Sequence, residues 1–125
     1  MVPEFLDVEA MLVPFLAGAT GERWATMVPA ERPAVFGRVR RTGGQAVNRV
    51  LERAQVTCTC SAQDSPAAAA FAGKARTALL NASGALPLVR GVSEVVAPYS
   101  DPDPDTGEPR YSFTVILSVR AHSSR

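Results

Sequence analysis

The sequence predicts an α+β sandwich, a sheet of four to five strands, antiparallel or mixed, with two helices packed on one face. Three observations carry this expectation. Residues 110–121 put Tyr111, Phe113, Val115, Leu117, Val119 and Ala121 on one parity and mostly polar residues on the other, the pattern of a long half-buried strand. Residues 55–62 alternate as cleanly, with Val56, Cys58, Cys60 and Ala62 inward and Thr57, Thr59 and Ser61 outward. Asp64-Ser65-Pro66 opens the clearest helix, a capping residue with proline in the first turn. Ala68, Phe71, Ala75, Ala78, Leu79 and Ala82 form its buried stripe as far as Gly84.

The remaining elements follow in chain order. Asp7 caps a first helix in which Val8, Met11, Leu12, Phe15 and Leu16 make a broad apolar stripe. Pro14 is expected to kink or shorten it, and residues 18–21 end it. Residues 24–28 read as a short strand before the turn from Pro29 to Pro33. Residues 34–42 read as the next strand, with Val35, Gly37 and Val39 on one parity and Phe36, Arg38 and Arg40 on the other, one face going to the core and the other available. Gly43-Gly44 is expected to stop it. Residues 45–53 fit either a loop with a helical turn or a continued hairpin. Residues 90–99 read as a fourth strand, joined to the last by Ser100-Asp-Pro-Asp-Pro-Asp-Thr-Gly-Glu-Pro109. Three prolines there forbid regular pairing, and four acidic groups keep the loop in water or bring it to a basic partner.

Composition narrows the function classes. At 125 residues the chain fits one domain, residues 1–125, with a radius of gyration of about 14 Å. Hydrophobic residues make up 46% but aromatics only 6%, so the core is built of small side chains and gains from a partner chain. Lys plus Arg is 13 against 12 for Asp plus Glu, and the net charge of +1 argues against a dedicated nucleic-acid binder. Lys74 is the only lysine; arginine suits fixed bidentate contacts better. The first residues lack a basic stretch followed by a long apolar run, and no run approaches the roughly 20 residues that span a bilayer, so the expectation is a protein made and kept in the cytosol.

Chemistry is sparse. Cys58 and Cys60 lie side by side on one strand face, where a mutual disulfide is strained and a metal needs more ligands than His122 supplies, so both read as buried small hydrophobes. His122 reads as a solvated tail residue, and Gly43-Gly44 as a turn, with no phosphate-loop lysine after it. Asp101, Asp103 and Asp105 alternate as in a calcium loop, but Pro102 and Pro104 intervene and no well-spaced glutamate closes the loop. No catalytic constellation, metal site or cofactor site is expected, and the chain does not read as an enzyme. The one charge cluster is Arg38, Arg40, Arg41, Arg49 and Arg53. It reads either as a solvated face or as a surface meeting carboxylates of a neighbouring copy, since Asp101, Asp103, Asp105 and Glu108, beside Arg110, form a loop of opposite sign. Complementary patches on one molecule make a head-to-tail contact that closes into a ring when the rotation allows.

This order of elements resembles the tail terminator, or tail completion, proteins of long-tailed bacteriophages. The likeness lies in the amphipathic first helix, the proline turn, the strand ending Val39-Arg-Arg-Thr-Gly-Gly44, the strand of residues 56–62, the alanine-rich helix and the closing Arg110-Tyr111 strand. It covers nearly the whole chain, and size and arginine content look like a phage of an actinobacterial host. The resemblance implies a structural virion protein, assembled in the host cytoplasm, forming a ring, commonly of six, on the head-proximal end of the tail tube. Such a ring stops tube growth and offers a surface for head-tail joining. Its partners are further copies of itself, the major tail tube protein and the head-tail connector, with genomic DNA passing through the lumen unbound. Residues 101–109 match the family's long loop facing the tube or lumen. A head-closure ring of the neck is the nearest alternative, and a small nucleic-acid-binding module using residues 38–53, with Phe36 as a stacking platform, the next.

Size agrees with such a ring. A domain of this radius is roughly 35 Å wide, so six in a circle leave a hole of roughly 35 Å and three only about 5 Å. A duplex roughly 20 Å across passes the first and not the second.

Overall fold

The structure, a computed structural model, describes residues 2–124. Seven strands and two helices follow in the order β1 (Val2–Glu4), α1 (Val8–Thr20), β2 (Arg23–Ala25), β3 (Phe36–Ala46), β4 (Leu51–Ser61), α2 (Ser65–Leu80), β5 (Val89–Ser100), β6 (Arg110–Arg120) and β7 (His122–Ser124). The main sheet has five strands in the order β2-β3-β4-β6-β5. It is mixed: β2 runs parallel to β3, and the other pairs are antiparallel. The α+β class holds.

Both helices start where their caps place them. Asp7 accepts the Ala10 N–H at 3.1 Å and Asp64 the Ala67 N–H at 2.8 Å, satisfying donors that a first helical turn leaves free. Pro14 does not shorten α1. It lies on the exposed side, so the missing backbone bond leaves the face of Val8, Leu12 and Leu16 packed. On α2, Ala68, Ala72 and Ala75 are fully buried; their small side chains let the helix settle close to the sheet, and Phe71 and Leu79 fill the remaining space.

The core lies between this helix layer and one sheet face. Val39, Cys58 and Phe113 form one transverse row across β3, β4 and β6, and Val56 and Val115 form another. Trp24 closes the core beside β2. Its ring meets Phe71 edge-on at 5.3 Å, and its Nε1–H donates to Thr20 Oγ1 at 2.9 Å. Gly37, paired with Trp24, is what admits that ring, since a Cβ there would lie 2.4 Å from the Trp24 Cδ2.

Several boundaries differ from the sequence expectation. The second strand is Arg23–Ala25 and stops short of Val28. The glycine pair does not end β3, which runs on to Ala46 through a bulge between Arg41 and Gly43. Gly43 and Gly44 take φ of +149° and +109°, conformations that glycine adopts freely, so the pair bends the strand instead of breaking it. Residues 45–53 are therefore the continued hairpin: β4 starts at Leu51, and Asn48 Oδ1 accepts the Val50 and Leu51 N–H groups across the turn. His122 is not a solvated tail residue; it is half-buried in β7, which pairs with β1 and joins the two ends of the chain.

The face turned away from the helices is polar and internally satisfied. Thr42, Thr57 and Thr114 link hydroxyl to hydroxyl at 3.2 and 2.9 Å, and the Thr59 and Ser112 hydroxyl oxygens lie 3.3 Å apart. One part of it is not free. Phe36 is buried there, contrary to its expected availability, under the segment after β2 and the loop before β6.

Candidate functional site

The Pro-rich loop between β5 and β6 is built, not loose. Asp103 accepts backbone N–H bonds from Asp105 and Thr106 at 2.8 and 3.2 Å, and the Gly107 N–H donates to the Asp103 carbonyl at 2.8 Å. These bonds first, and the guanidiniums of Arg110 and Arg32 after them, hold the Asp103 carboxyl below the usual aspartate range. Arg110 lies 3.6 Å from Asp101 and 3.7 Å from Asp103, and its Nε donates to the Asp101 carbonyl at 2.9 Å. Arg32, from the turn after β2, pairs with Glu108 and lies 3.9 Å from Asp103. Ser112 Oγ donates to Asp101 at 2.8 Å. The loop is thus strapped across the sheet end, closing a cavity of about 40 Å³ lined by Phe36, Arg32, Arg38, Asp103 and Arg110.

The sequence grouped Arg38, Arg40, Arg41, Arg49 and Arg53 as one cluster; the fold distributes them. Arg38 is half-buried and its Nε donates to the Thr26 carbonyl at 3.0 Å, beside the strapped loop. Arg41 grips the buried Glu52 with both guanidinium nitrogens at 3.0 and 3.3 Å, while its backbone N–H donates to Glu9 at 2.8 Å. These two are structural. Arg40, Arg49 and Arg53 stay exposed and join no ion pair among the described residues.

Loop and cluster do not form two unsatisfied patches of opposite sign. Asp101, Asp103 and Glu108 are engaged by arginines of their own chain, which leaves Asp105 as the loop's exposed, unpaired carboxylate among the described residues. Sequence reading missed Arg32, whose partners lie about 70 to 76 positions away, a separation with no local signal. It also missed Glu52, whose parity places it on the core side of β4 and was legible once the strand's true start was known.

Charge instead gathers at the other end of the sheet. Register puts Arg53 opposite Ser118, Arg120 opposite Leu51 and Gly91 opposite Ser118, so Arg49, Arg53, Arg90 and Arg120 crowd around the β3–β4 turn, all exposed. Large apolar side chains also remain in solvent, Met27 and Val28 after β2, Val47 and Val50 at the turn, and Val95, Val96 and Tyr99 on β5.

Reactive groups are quiet. Cys58 and Cys60 are free, fully buried thiols; burial pushes both well above the ordinary range, and for Cys58 the neighbouring Cys60 adds to it. Among the described residues no three His, Cys, Asp or Glu side chains gather as metal ligands, and no helix is long and apolar enough to cross a membrane. Phe36, buried, cannot serve as the stacking platform that the sequence suggested. No protein-family model matches the chain, and no curated protein matches it.

Proposed function

We propose that the protein is a structural virion component, not an enzyme: a ring, of six copies by its size, that caps the head-proximal end of a long-tailed phage tail tube. In this role it ends tube growth and presents a surface for head-tail joining, with the tube protein on one side, the head-tail connector on the other and DNA passing through without specific binding. The observation that carries the reading is the distribution of exposed apolar side chains. Met27 and Val28, Val47 and Val50, and Val95, Val96 and Tyr99 occupy three separate places on a small domain. A chain that offers apolar contacts on several sides is suited to assembly with more than one neighbour. The two sheet ends also differ, one crowded with arginines that join no ion pair among the described residues and the other covered by a strap whose four carboxylates meet only Arg32 and Arg110, which suits a ring whose axial faces meet different partners.

Imaging the purified protein with tail tubes tests this. Rings seated at one end of the tubes are expected; a strict monomer with no effect on tubes refutes the reading. A head-closure ring follows from the same surfaces, with binding to the connector and none to tubes. A nucleic-acid module has one observation in its favour, the crowd of Arg49, Arg53, Arg90 and Arg120. It requires DNA or RNA affinity that falls steeply with salt.

A further inference from the structure

The face of the main sheet turned away from the helices carries charge of one sign. The five strands hold two carboxylates, Glu52 and Glu94, and both lie on the helix side, paired with Arg41 and Arg76. Register places Arg23, Arg38, Arg40, Arg53, Arg110 and Arg120 on the other side, against Phe36, Thr59, Thr57, Ser118, Ser61 and Leu51. Hydroxyls of this face bond one another, but Arg40, Arg53 and Arg120 are exposed and join no ion pair among the described residues. At the strapped end the chain itself supplies what such groups take. Asp101 and Asp103, alternate residues, reach the single guanidinium of Arg110 at 3.6 and 3.7 Å, and Ser112 Oγ donates to Asp101 at 2.8 Å. An arginine and a strand hydroxyl are thus already a carboxylate site in this fold. The same kinds of group stand uncovered toward the β3–β4 turn. Arg53 has Ser118 on one side and Gln45 on the other, and Arg120 is its diagonal neighbour, about 7–8 Å away. Arg40, opposite Thr57, continues the line onto β3 about 14 Å further on. A groove of about 290 Å³ lined by Gly44, Gln45, Arg53, Gln55 and Ile116 lies along it.

From this placement we infer that the open half of the face binds an extended acidic segment of a partner protein, with carboxylates on alternate residues, laid diagonally from Arg120 over Arg53 to Arg40. Alternate residues of an extended chain lie about 7 Å apart, the spacing of Arg120 and Arg53, and four residues span about 13 Å, close to the step to Arg40. Each guanidinium presents a fork that matches a carboxylate. The segment comes from another protein, because this chain's own alternating carboxylates are engaged. Asp101 and Asp103 are held in the strap, and Asp7 and Glu9 accept the backbone N–H groups of Ala10 and Arg41. A polypeptide fits this face better than a phosphate backbone does. Ile116 walls the groove, and Val96 and Tyr99 are exposed beside Thr114 and Ser112, apolar surface that a peptide covers and a phosphate chain does not. A net charge of +1 also gives no long-range pull on a nucleic acid. The inference does not depend on the ring reading; it names the chemistry of one partner surface.

A labelled peptide alternating glutamate and threonine over about eight residues, with a glutamine–threonine peptide as control, tests this by fluorescence anisotropy on the purified protein. The acidic peptide should bind, more weakly as salt rises, and the control should not. Arg53→Gln and Arg120→Gln, both at exposed positions, should each weaken binding about tenfold, since each removes a hydrogen bond between charged groups. Gln45→Glu sets a carboxylate opposite Arg53 within the chain and should weaken binding as well, with every arginine kept. Lys74→Gln, on α2 in the other layer, should leave it unchanged. No binding, or equal binding by the two arginine variants, overturns the inference. So does a DNA or RNA oligonucleotide of equal charge that binds more tightly than the peptide at the same arginines. Self-association that Arg53→Gln and Arg120→Gln abolish, with no peptide bound, overturns it too and makes the occupant a second copy. A monomeric protein that binds the peptide keeps this inference and loses the ring; a ring-forming protein indifferent to the peptide does the reverse.

Discussion

Replacing Gly37 with alanine probes the packing that anchors β2 to the sheet. The added Cβ would lie 2.4, 2.5 and 2.6 Å from Trp24 Cδ2, Cε2 and Cε3, where carbon atoms prefer about 3.5–4.0 Å. The indole cannot slide away cheaply, because it meets Phe71 at 5.3 Å and its Nε1–H is bonded to Thr20. Overpacking of this kind costs about 1–3 kcal/mol, and loss of the indole hydrogen bond about 1 kcal/mol more. Reduced freedom of the unfolded chain returns about 0.4–1 kcal/mol. The balance is a loss of about 2–3 kcal/mol, which for 125 residues lowers the melting temperature by roughly 10 °C. Urea unfolding followed by fluorescence reads it directly, since Trp24 is the only tryptophan. An unchanged midpoint together with an unchanged native emission spectrum would refute the reasoning.

Other expectations follow from the same geometry. Gly44→Ala should destabilise the hairpin by more than Gly43→Ala, because its Cβ meets the Arg53 carbonyl at 2.0 Å whereas the Cβ at Gly43 meets open space; paired denaturation curves give the order. The carboxyls of Asp103 and Glu94 are held low in the folded state, Asp103 mainly by backbone N–H donors and Glu94 mainly by the Arg76 hydrogen bond. Their contribution is therefore full above the unfolded carboxylate range near about 4 and is lost as pH falls through the lowered folded values. Asp103→Asn should flatten that acid-side loss in a pH series of unfolding midpoints, and an unchanged slope would count against the strap. Cys58 and Cys60 should resist thiol reagents near neutral pH until the protein is unfolded, as a labelling time course with and without denaturant would show.

What the sequence made legible was local. Asp7 and Asp64 announce their helices because a cap is a short-range bond between neighbours in the chain. β4 and β6 announce their buried faces because parity alone decides which side chains meet the core. The parallel pairing of β2 with β3 left no such mark, since it depends on where the turn after Ala25 returns the chain. Gly43-Gly44 reads as a stop in isolation; pairing with Gln55 and Ala54 turns it into a bulge. The acidic loop shows the same limit. Four carboxylates in ten residues look solvent-bound until Arg32, far back in the chain, is folded over them. Val96 and Tyr99 were readable as strand residues but not as an exposed edge, because exposure follows from the strand order β2-β3-β4-β6-β5, which local pattern does not contain.

Solution mass by multi-angle light scattering across a concentration series bears most directly on the central claim. A closed ring of six copies of 13.2 kDa predicts a single discrete species of about 79 kDa that grows no further as concentration rises. A mass fixed at that of one chain at all concentrations, or a mass that climbs without limit, would contradict it.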